Sequence, residues 1–324
     1  MHRYSYYKTA ACTPNVSIGD PQANKEEILN CIQKLDSDTQ LVVFPELCIT
    51  GYTCQDLFYE HTLLNKAKQV LFEIVEELPE NLVAVLGLPL EIDNKLYNCA
   101  AICFNHDILG IQVKTYIPSY NEFYETRWFS SASELKENTP FTYKDKKVPV
   151  SNHIVFKDTT TFACLGVEIC EDLWVTIPVS STHALAGANV LCNLSASNEI
   201  ISKANYRRNL VKDQSAKCYA GYIYASAGPT ESSSDLVFSG HNLICENGAI
   251  LSETKTDKII YGQIDLDHLN HDRLHYKTSM QDLFHVNYTT VEFASKPIHE
   301  IEFDRYIDAY PFVPNNQDER ITRC

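Results

Sequence analysis

Three ionisable residues each close an apolar, strand-like run: Glu46 follows "LVVFP", Lys114 follows "ILGIQV" and Cys170 follows "FACLGVEI". Strand ends are rigid and open towards solvent, which is where α/β folds place reactive groups. A thiolate is a nucleophile for acyl transfer, a nearby ammonium favours the thiolate, and a carboxylate can carry the protons that such a reaction moves. Cys170, however, stands among Glu168, Glu171 and Asp172, and neighbouring anions oppose ionisation of a thiol. The expectation is that Lys114 supplies the offsetting charge. Each residue alone has an ordinary reading, as a solvated strand boundary or a small core hydrophobe. Only their convergence in space makes a site.

The segments that must position them alternate between two periods. "YYKTAACTP", "QLVVFPE", "NLVAVLGLPLE", "KLYNCAAICF", "ILGIQVKTY", "TTFACLGVEIC", "NVLCNLS" and "YAGYIYASAG" read as strands. Helical spacing appears in "NKEEILNCIQKLDSD", with Ile28, Leu29, Ile32 and Leu35 on one face. It appears again from Leu64 to Leu78 and over residues 203 to 217. "NHD" and Asn247-Gly248 mark hairpin turns, and residues 116 to 150 form a looser stretch. With no repeat and no low-complexity linker, residues 1–294 read as one domain and residues 295–324 as a C-terminal extension.

A net charge of −15 and the lack of a basic stripe exclude sequence-independent nucleic-acid binding. No apolar run approaches the roughly 20 residues that span a bilayer, and the N-terminus lacks a signal-peptide pattern. The expectation is a soluble, cytoplasmic chain whose twelve cysteines stay reduced. Without a C-x-x-C pair no metal site is expected. The eleven histidines single out no Cys/His pair; His241, in "FSGHNLI", reads as structural.

"FPELCITGY", "KTYIPSYNEFYETRWF" and "LGVEICEDLW" resemble the Glu, Lys and Cys motifs of the nitrilase (carbon–nitrogen hydrolase) superfamily, in that superfamily's order along almost the whole chain. The long lysine motif, "CEDLW", "NLSASNEIISKANYRRNLV" and "YPFVPNNQDERITRC" are similar to the glutamine-hydrolysing domain of glutamine-dependent NAD⁺ synthetases. The resemblance implies a four-layer α-β-β-α sandwich, a homo-oligomer, and hydrolysis of the L-glutamine side-chain amide. The ammonia released would serve amidation of nicotinic acid adenine dinucleotide. It implies Cys170 as nucleophile, Glu46 as general base, and Lys114 with the Glu171 N–H as oxyanion partners. Glu122 matches a second superfamily glutamate that positions substrate and lysine, with Glu125 close by and similar. For the amino-acid end, the resemblance implies Glu171 and Ser197, with Tyr52, Tyr120 and Phe123 shaping the pocket. Lys203 stands where some relatives carry an arginine, and Trp128 and Trp174 are expected to pack around the pocket. No S-G-G-x-D-S-type loop occurs, so ATP and Mg²⁺ are expected only at a synthetase domain, in cis or trans, outside this chain. Another amidase, such as an ω-amidase or carbamoyl hydrolase, and an idle partner-binding domain are the alternatives.

Overall fold

The computed structural model describes residues 5–136, 139, 141–281, 286–298 and 300–307. In the first half of the chain it has β1 (Tyr6–Cys12), α1 (Pro21–Gln33), β2 (Leu41–Val43), α2 (His61–Glu77), β3 (Val83–Ile92), β4 (Lys95–Phe104) and β5 (Asp107–Val113). Short strands β6 (Phe141–Tyr143), β7 (Lys146–Val148) and β8 (Val150–Ser151) lead to β9 (Ile154–Asp158), β10 (Cys164–Ile169), α3 (Val179–Leu185), β11 (Val190–Ser195) and α4 (Lys203–Lys217). Then follow β12 (Gly221–Ser226), β13 (Asn242–Glu246), β14 (Ala249–Thr254), β15 (Ile259–Asp265), α5 (Leu266–His275) and β16 (Thr289–Phe293).

Two seven-stranded mixed sheets result, in the orders β15-β1-β2-β3-β4-β5-β8 and β14-β13-β12-β11-β10-β9-β16. The period of two that a strand imposes divides their side chains cleanly. Leu41 and Val43 join Val85, Ile102, Phe156, Val167, Cys192 and Ile223 in a core between the sheets. Val42 faces the other way, into a core with Ile28, Ile32, Val70, Leu71 and Ile74 of α1 and α2. On the far side, Ala184 and Val211 of α3 and α4 cover Leu191, Tyr222 and Leu243. These three apolar layers hold four layers of secondary structure, the α-β-β-α sandwich.

Differences from the sequence pattern are local. The first helix begins at Pro21, earlier than its apolar stripe, because Asp20 accepts the Ala23 N–H at 3.1 Å as N-cap. It stops before Leu35, which packs on the core from the following turn. Asp93 and Asn94 make a further hairpin turn, with φ of 50° and 59°. The short helices α3 and α5 and the edge strand β16 have too few periodic residues to stand out in a single sequence. The chain beyond 294 lies on the body as far as it is described. Ser295 Oγ donates to Asp158 at 2.6 Å, Gln263 Nε2 to the Glu302 carbonyl at 2.6 Å, and Arg305 pairs with Glu246 at 2.5 Å. The remainder of the extension, from residue 308 to 324, lies outside the described residues.

One glycine decides where Glu46 can sit. A Cβ on Gly87 of β3 would fall 2.4 Å from the Leu47 nitrogen and 2.6 Å from the Pro45 carbonyl oxygen. Only a bare backbone lets the segment after β2 cross so closely. Gly87→Ala should therefore move Glu46 and cut turnover about 10²-fold, since misplacing a reacting group by an ångström costs about that much. Turnover measured beside a urea midpoint checks this: full activity in a folded Gly87→Ala protein removes the argument.

Candidate active site

The three strand-end residues meet. Glu46 lies in a turn after β2 in which the Thr50 and Gly51 N–H groups return to the Leu47 carbonyl at 3.0 and 2.8 Å. Its carboxylate is fully buried and held from three directions. Oε1 accepts from Lys114 Nζ at 2.5 Å and Asn98 Nδ2 at 2.6 Å, and Oε2 accepts from the Ala196 N–H at 2.9 Å. Lys114, just past β5, is equally buried. Its ammonium also donates to Glu125 Oε1 and Oε2 at 2.9 and 2.8 Å. A lysine has three N–H donors, so the two carboxylates can occupy all of them.

The glutamate beside the lysine is Glu125 and not Glu122. Glu125 opens a 3₁₀ turn, Glu125–Arg127, with its N–H on the Pro118 carbonyl at 3.0 Å. That turn places residue 125 inward, 2% exposed. Glu122 instead accepts from Asn198 Nδ2, and Asn198 Oδ1 accepts from Lys203 Nζ. Glu122 thus supports Lys203. Tyr52, expected in the pocket wall, has its hydroxyl on Glu125 Oε1 at 2.8 Å and its N–H on the buried Glu231 carboxylate at 3.0 Å. It backs the cluster from a small neighbouring cavity.

Cys170 follows β10 and starts the 3₁₀ turn Cys170–Leu173. Its φ of 46° is a left-handed conformation costing of order 1–3 kcal/mol for a non-glycine residue, a strain that sites tolerate when the surroundings fix it. Asp172 supplies the fixing. Its fully buried carboxylate accepts from Ile169 N at 3.1 Å, in the same turn, and from Thr115 N and Tyr116 N at 3.0 and 2.9 Å, just after Lys114. The cysteine turn and the lysine strand end are thereby tied together. Sequence reading treated Asp172 only as an acid crowding the thiol.

Lys114 does not offset those acids at rest. Burial pushes the Cys170 thiol far up, Glu46, Glu125 and Glu171 push it further, and Lys114 only opposes them. The Lys114 ammonium itself is firmly charged: desolvation works against it, but the Glu125 and Glu46 carboxylates win. Burial also raises Glu125 above the usual carboxylate range, against Lys114. Cys170 is therefore a thiol that needs a base to act, and Glu46 is the carboxylate that weighs most on it.

A cleft of about 390 Å³ opens over Cys170, within the range of small-molecule sites. Tyr120, Phe123, Glu171, Ser197 and Lys203 line it, as expected, together with Glu122 and Trp174. Trp128 is not on this cleft. Its ring packs on Phe58 at 5.8 Å and Tyr124 at 5.3 Å, and its Nε1 donates to Asp56 at 2.9 Å. The Tyr120 hydroxyl donates to Glu171 at 2.9 Å, and burial raises the Glu171 carboxyl. Lys203 Nζ lies over the Phe123 and Trp174 rings, 5.4 and 5.2 Å from their centroids, and desolvation lowers it. The cleft thus carries a thiol, an anion and a cation. Among the described residues no group of three His, Cys, Asp or Glu side chains could hold a metal ion, and no helix is long and apolar enough to cross a membrane.

Residues 8–273 match the carbon–nitrogen hydrolase family model. The glutamine-dependent NAD⁺ synthetase of Mycobacterium bovis is 34% identical over 97% of this chain and 48% of its own length. The human protein of that name is 29% identical over 75% of this chain and 35% of its own. The crystal structure of a glutamine-dependent NAD⁺ synthetase from Cytophaga hutchinsonii superposes with a TM-score of 0.71 at 28% identity, covering 80% of this chain and 43% of that one. The chain spans about half the length of the relatives it matches.

Proposed function

The chain belongs to the carbon–nitrogen hydrolase family, and we propose that it hydrolyses the side-chain amide of L-glutamine, the ammonia serving a synthetase domain that makes NAD⁺. The observation that carries the substrate is the cleft itself. Glu171 with Tyr120 offers an anion for an α-ammonium, and Lys203 offers a cation for an α-carboxylate, in the same cleft that Cys170 lines. The relatives' names supply the use of the ammonia.

Glu46 takes the Cys170 proton as sulfur attacks the amide carbon. The negative oxygen that forms draws on the Lys114 charge and the Glu171 N–H. Because both carboxylates already hold the ammonium, Lys114 acts here by charge or by releasing one Glu125 contact. Losing one such donor typically costs ~10²–10³ in rate. The C–N bond breaks as Glu46 returns its proton to the leaving nitrogen, giving ammonia and a glutamyl thioester. A water then gives its proton to Glu46 and its oxygen to the thioester carbon, and glutamate leaves with the thiol restored. Glu125 and Tyr52 hold Lys114 during both halves.

An amide panel with ammonia and glutamate as readouts tests the substrate. Glutamine should be turned over, and turnover should stop in Cys170→Ala. Rapid hydrolysis of simple ω-amides or carbamoyl compounds with glutamine ignored would falsify the proposal in favour of another amidase. The synthetase role is tested by adding nicotinic acid adenine dinucleotide, ATP and a synthetase domain, and following NAD⁺ formed with glutamine as nitrogen donor.

A further inference from the structure

Behind the cleft lies a buried cation that the reaction outlined above does not use. Arg207, on α4 one helical turn after Lys203, is among the largest fully buried side chains of the protein. Its guanidinium donates to Ser197 Oγ twice, from Nε at 3.3 Å and Nη2 at 3.1 Å. Nη2 also donates to the Asn198 carbonyl at 2.9 Å, and Nη1 to Glu199 at 3.3 Å and to His241 Nδ1 at 2.9 Å. A guanidinium has no acceptor, so His241 Nδ1 must accept and carry no proton. The ring hydrogen therefore sits on Nε2 and donates to Glu253 at 2.7 Å. Desolvation, which lowers His241, agrees with the neutral ring. Glu253 is clamped in turn by Arg208 at 2.6 to 2.9 Å.

The consequence falls on Ser197. A hydroxyl has two acceptor lone pairs and one hydrogen, and Arg207 takes both lone pairs. The hydrogen has no acceptor in the hydrogen-bond network of the described residues. The buried Tyr224 hydroxyl stands close enough to interact with Ser197 but makes no hydrogen bond of normal geometry with it, and a carboxylate, being charged, is the stronger acceptor for that hydrogen. Ser197 is 3% exposed and lines the cleft with Cys170 and Lys203. With its lone pairs spent on a cation, its hydroxyl can serve an anion but not an ammonium.

We infer that Arg207 is a positioning residue which makes Ser197 a dedicated hydrogen-bond donor to a carboxylate at the amino-acid end of the substrate, with His241 and Glu253 locking the guanidinium in place. The inference rests on the amidase reading of the site and adds a basis for substrate selection. Two cations then stand at the carboxylate end, Lys203 in the cleft wall and Arg207 one layer behind. Neither touches the reacting atoms.

The test compares L-glutamine, glutaramate, which keeps the carboxylate but lacks the α-amine, and 4-aminobutanamide, which keeps the amine but lacks the carboxylate. His241→Leu unpairs one Arg207 N–H and frees the guanidinium to shift. It should raise KM roughly tenfold for glutamine and glutaramate, the loss of about one charged hydrogen bond. Its kcat should stay within about twofold, as should KM for 4-aminobutanamide. His241→Asn, whose Oδ1 can take the place of Nδ1, should recover most of that loss. Ser197→Ala should show the same carboxylate-selective rise, and it decides the matter if His241→Leu does not fold. Equal losses on all three amides, no change at all, or a wild-type preference for 4-aminobutanamide would each overturn the inference. Turnover of glutaramate with glutamine ignored would instead sink the glutamine proposal, and the remaining pair of amides would still read the role of Arg207.

Discussion

Alkylation of Cys170 should move to higher pH when Lys114 is replaced by alanine, and amide hydrolysis should fall by ~10²–10³ at the same time. The direction of the first effect follows from charge. Lys114 is the group that lowers the thiol against burial and three carboxylates, and removing a cation disfavours the thiolate. The experiment needs one precaution, which the cluster dictates. Without Lys114, Glu46 and Glu125 become two buried carboxylates with no counter-ion, and Glu125 is already raised by burial. One of them will take a proton, which returns part of the lost positive charge and hides the shift. In a Glu125→Gln background the cluster changes from Glu46 with Lys114 to Glu46 alone, with no second carboxylate to repel it and the Asn98 and Ala196 N–H donors still on it, so more of the lost charge is felt at the thiol. The pH–rate profile of iodoacetamide labelling, read by intact mass in the two backgrounds, should therefore shift more with Glu125→Gln than without it. An unchanged profile in the Glu125→Gln background would mean that Lys114 does not act on the thiol. Breaking a buried ion pair on one side costs about 3–5 kcal/mol, so a lower urea midpoint should accompany Lys114→Ala. It should be smaller in the double variant, where one fewer carboxylate is stranded.

How much of this site could be read from residues alone depended on what kind of information each contact needs. Glu46, Lys114 and Cys170 were legible because a reactive residue at a strand end leaves a trace in the local pattern, and because three motifs recur in order. The sandwich followed from the same motifs, and alternation in strands such as β2 sorted Val42 from Leu41 and Val43. The choice between Glu122 and Glu125 was not legible. Which glutamate points inward is set by the 3₁₀ turn that begins at Glu125 and by its bond to Pro118, a conformation with no periodic signature. Asp172 was misread for a related reason: next to a cysteine an acid looks like a like-charge penalty, and its three backbone donors come from residues far away or hidden in the turn. Arg207 and His241 were invisible as a pair. Their partnership with Ser197 depends on α4 packing against β12 and β13, contacts that only the assembled sheet creates.

Glu46→Gln should cost the most, about 10²–10⁴ in glutamine turnover, and the way it fails can separate its two tasks. The substitution keeps an oxygen for Lys114 and Asn98 but turns the Oε2 position into an N–H donor facing the Ala196 N–H. That mispairing will cost about 1–3 kcal/mol of stability, so loss of rate alone proves little. The charge argument supplies a sharper reading. Glu46 is the carboxylate that raises the Cys170 thiol most, so Glu46→Gln should let the thiolate form at a lower pH while removing the group that protonates the leaving nitrogen and activates water. A glutamate γ-ester with a good leaving group needs no proton at that step, so it should still acylate Cys170 in the variant. Water attack on the thioester still lacks its base, and the glutamyl enzyme should accumulate. Intact mass should show the glutamyl adduct after mixing, and hydroxylamine, a nucleophile that needs no such help, should discharge it. If the ester turns over in Glu46→Gln without a detectable adduct, Glu46 is not the base for deacylation. If Cys170 is not acylated even at alkaline pH, the variant has lost the geometry of the turn and not merely a proton carrier. Only accumulation followed by discharge fits a carboxylate that serves acylation and deacylation in turn.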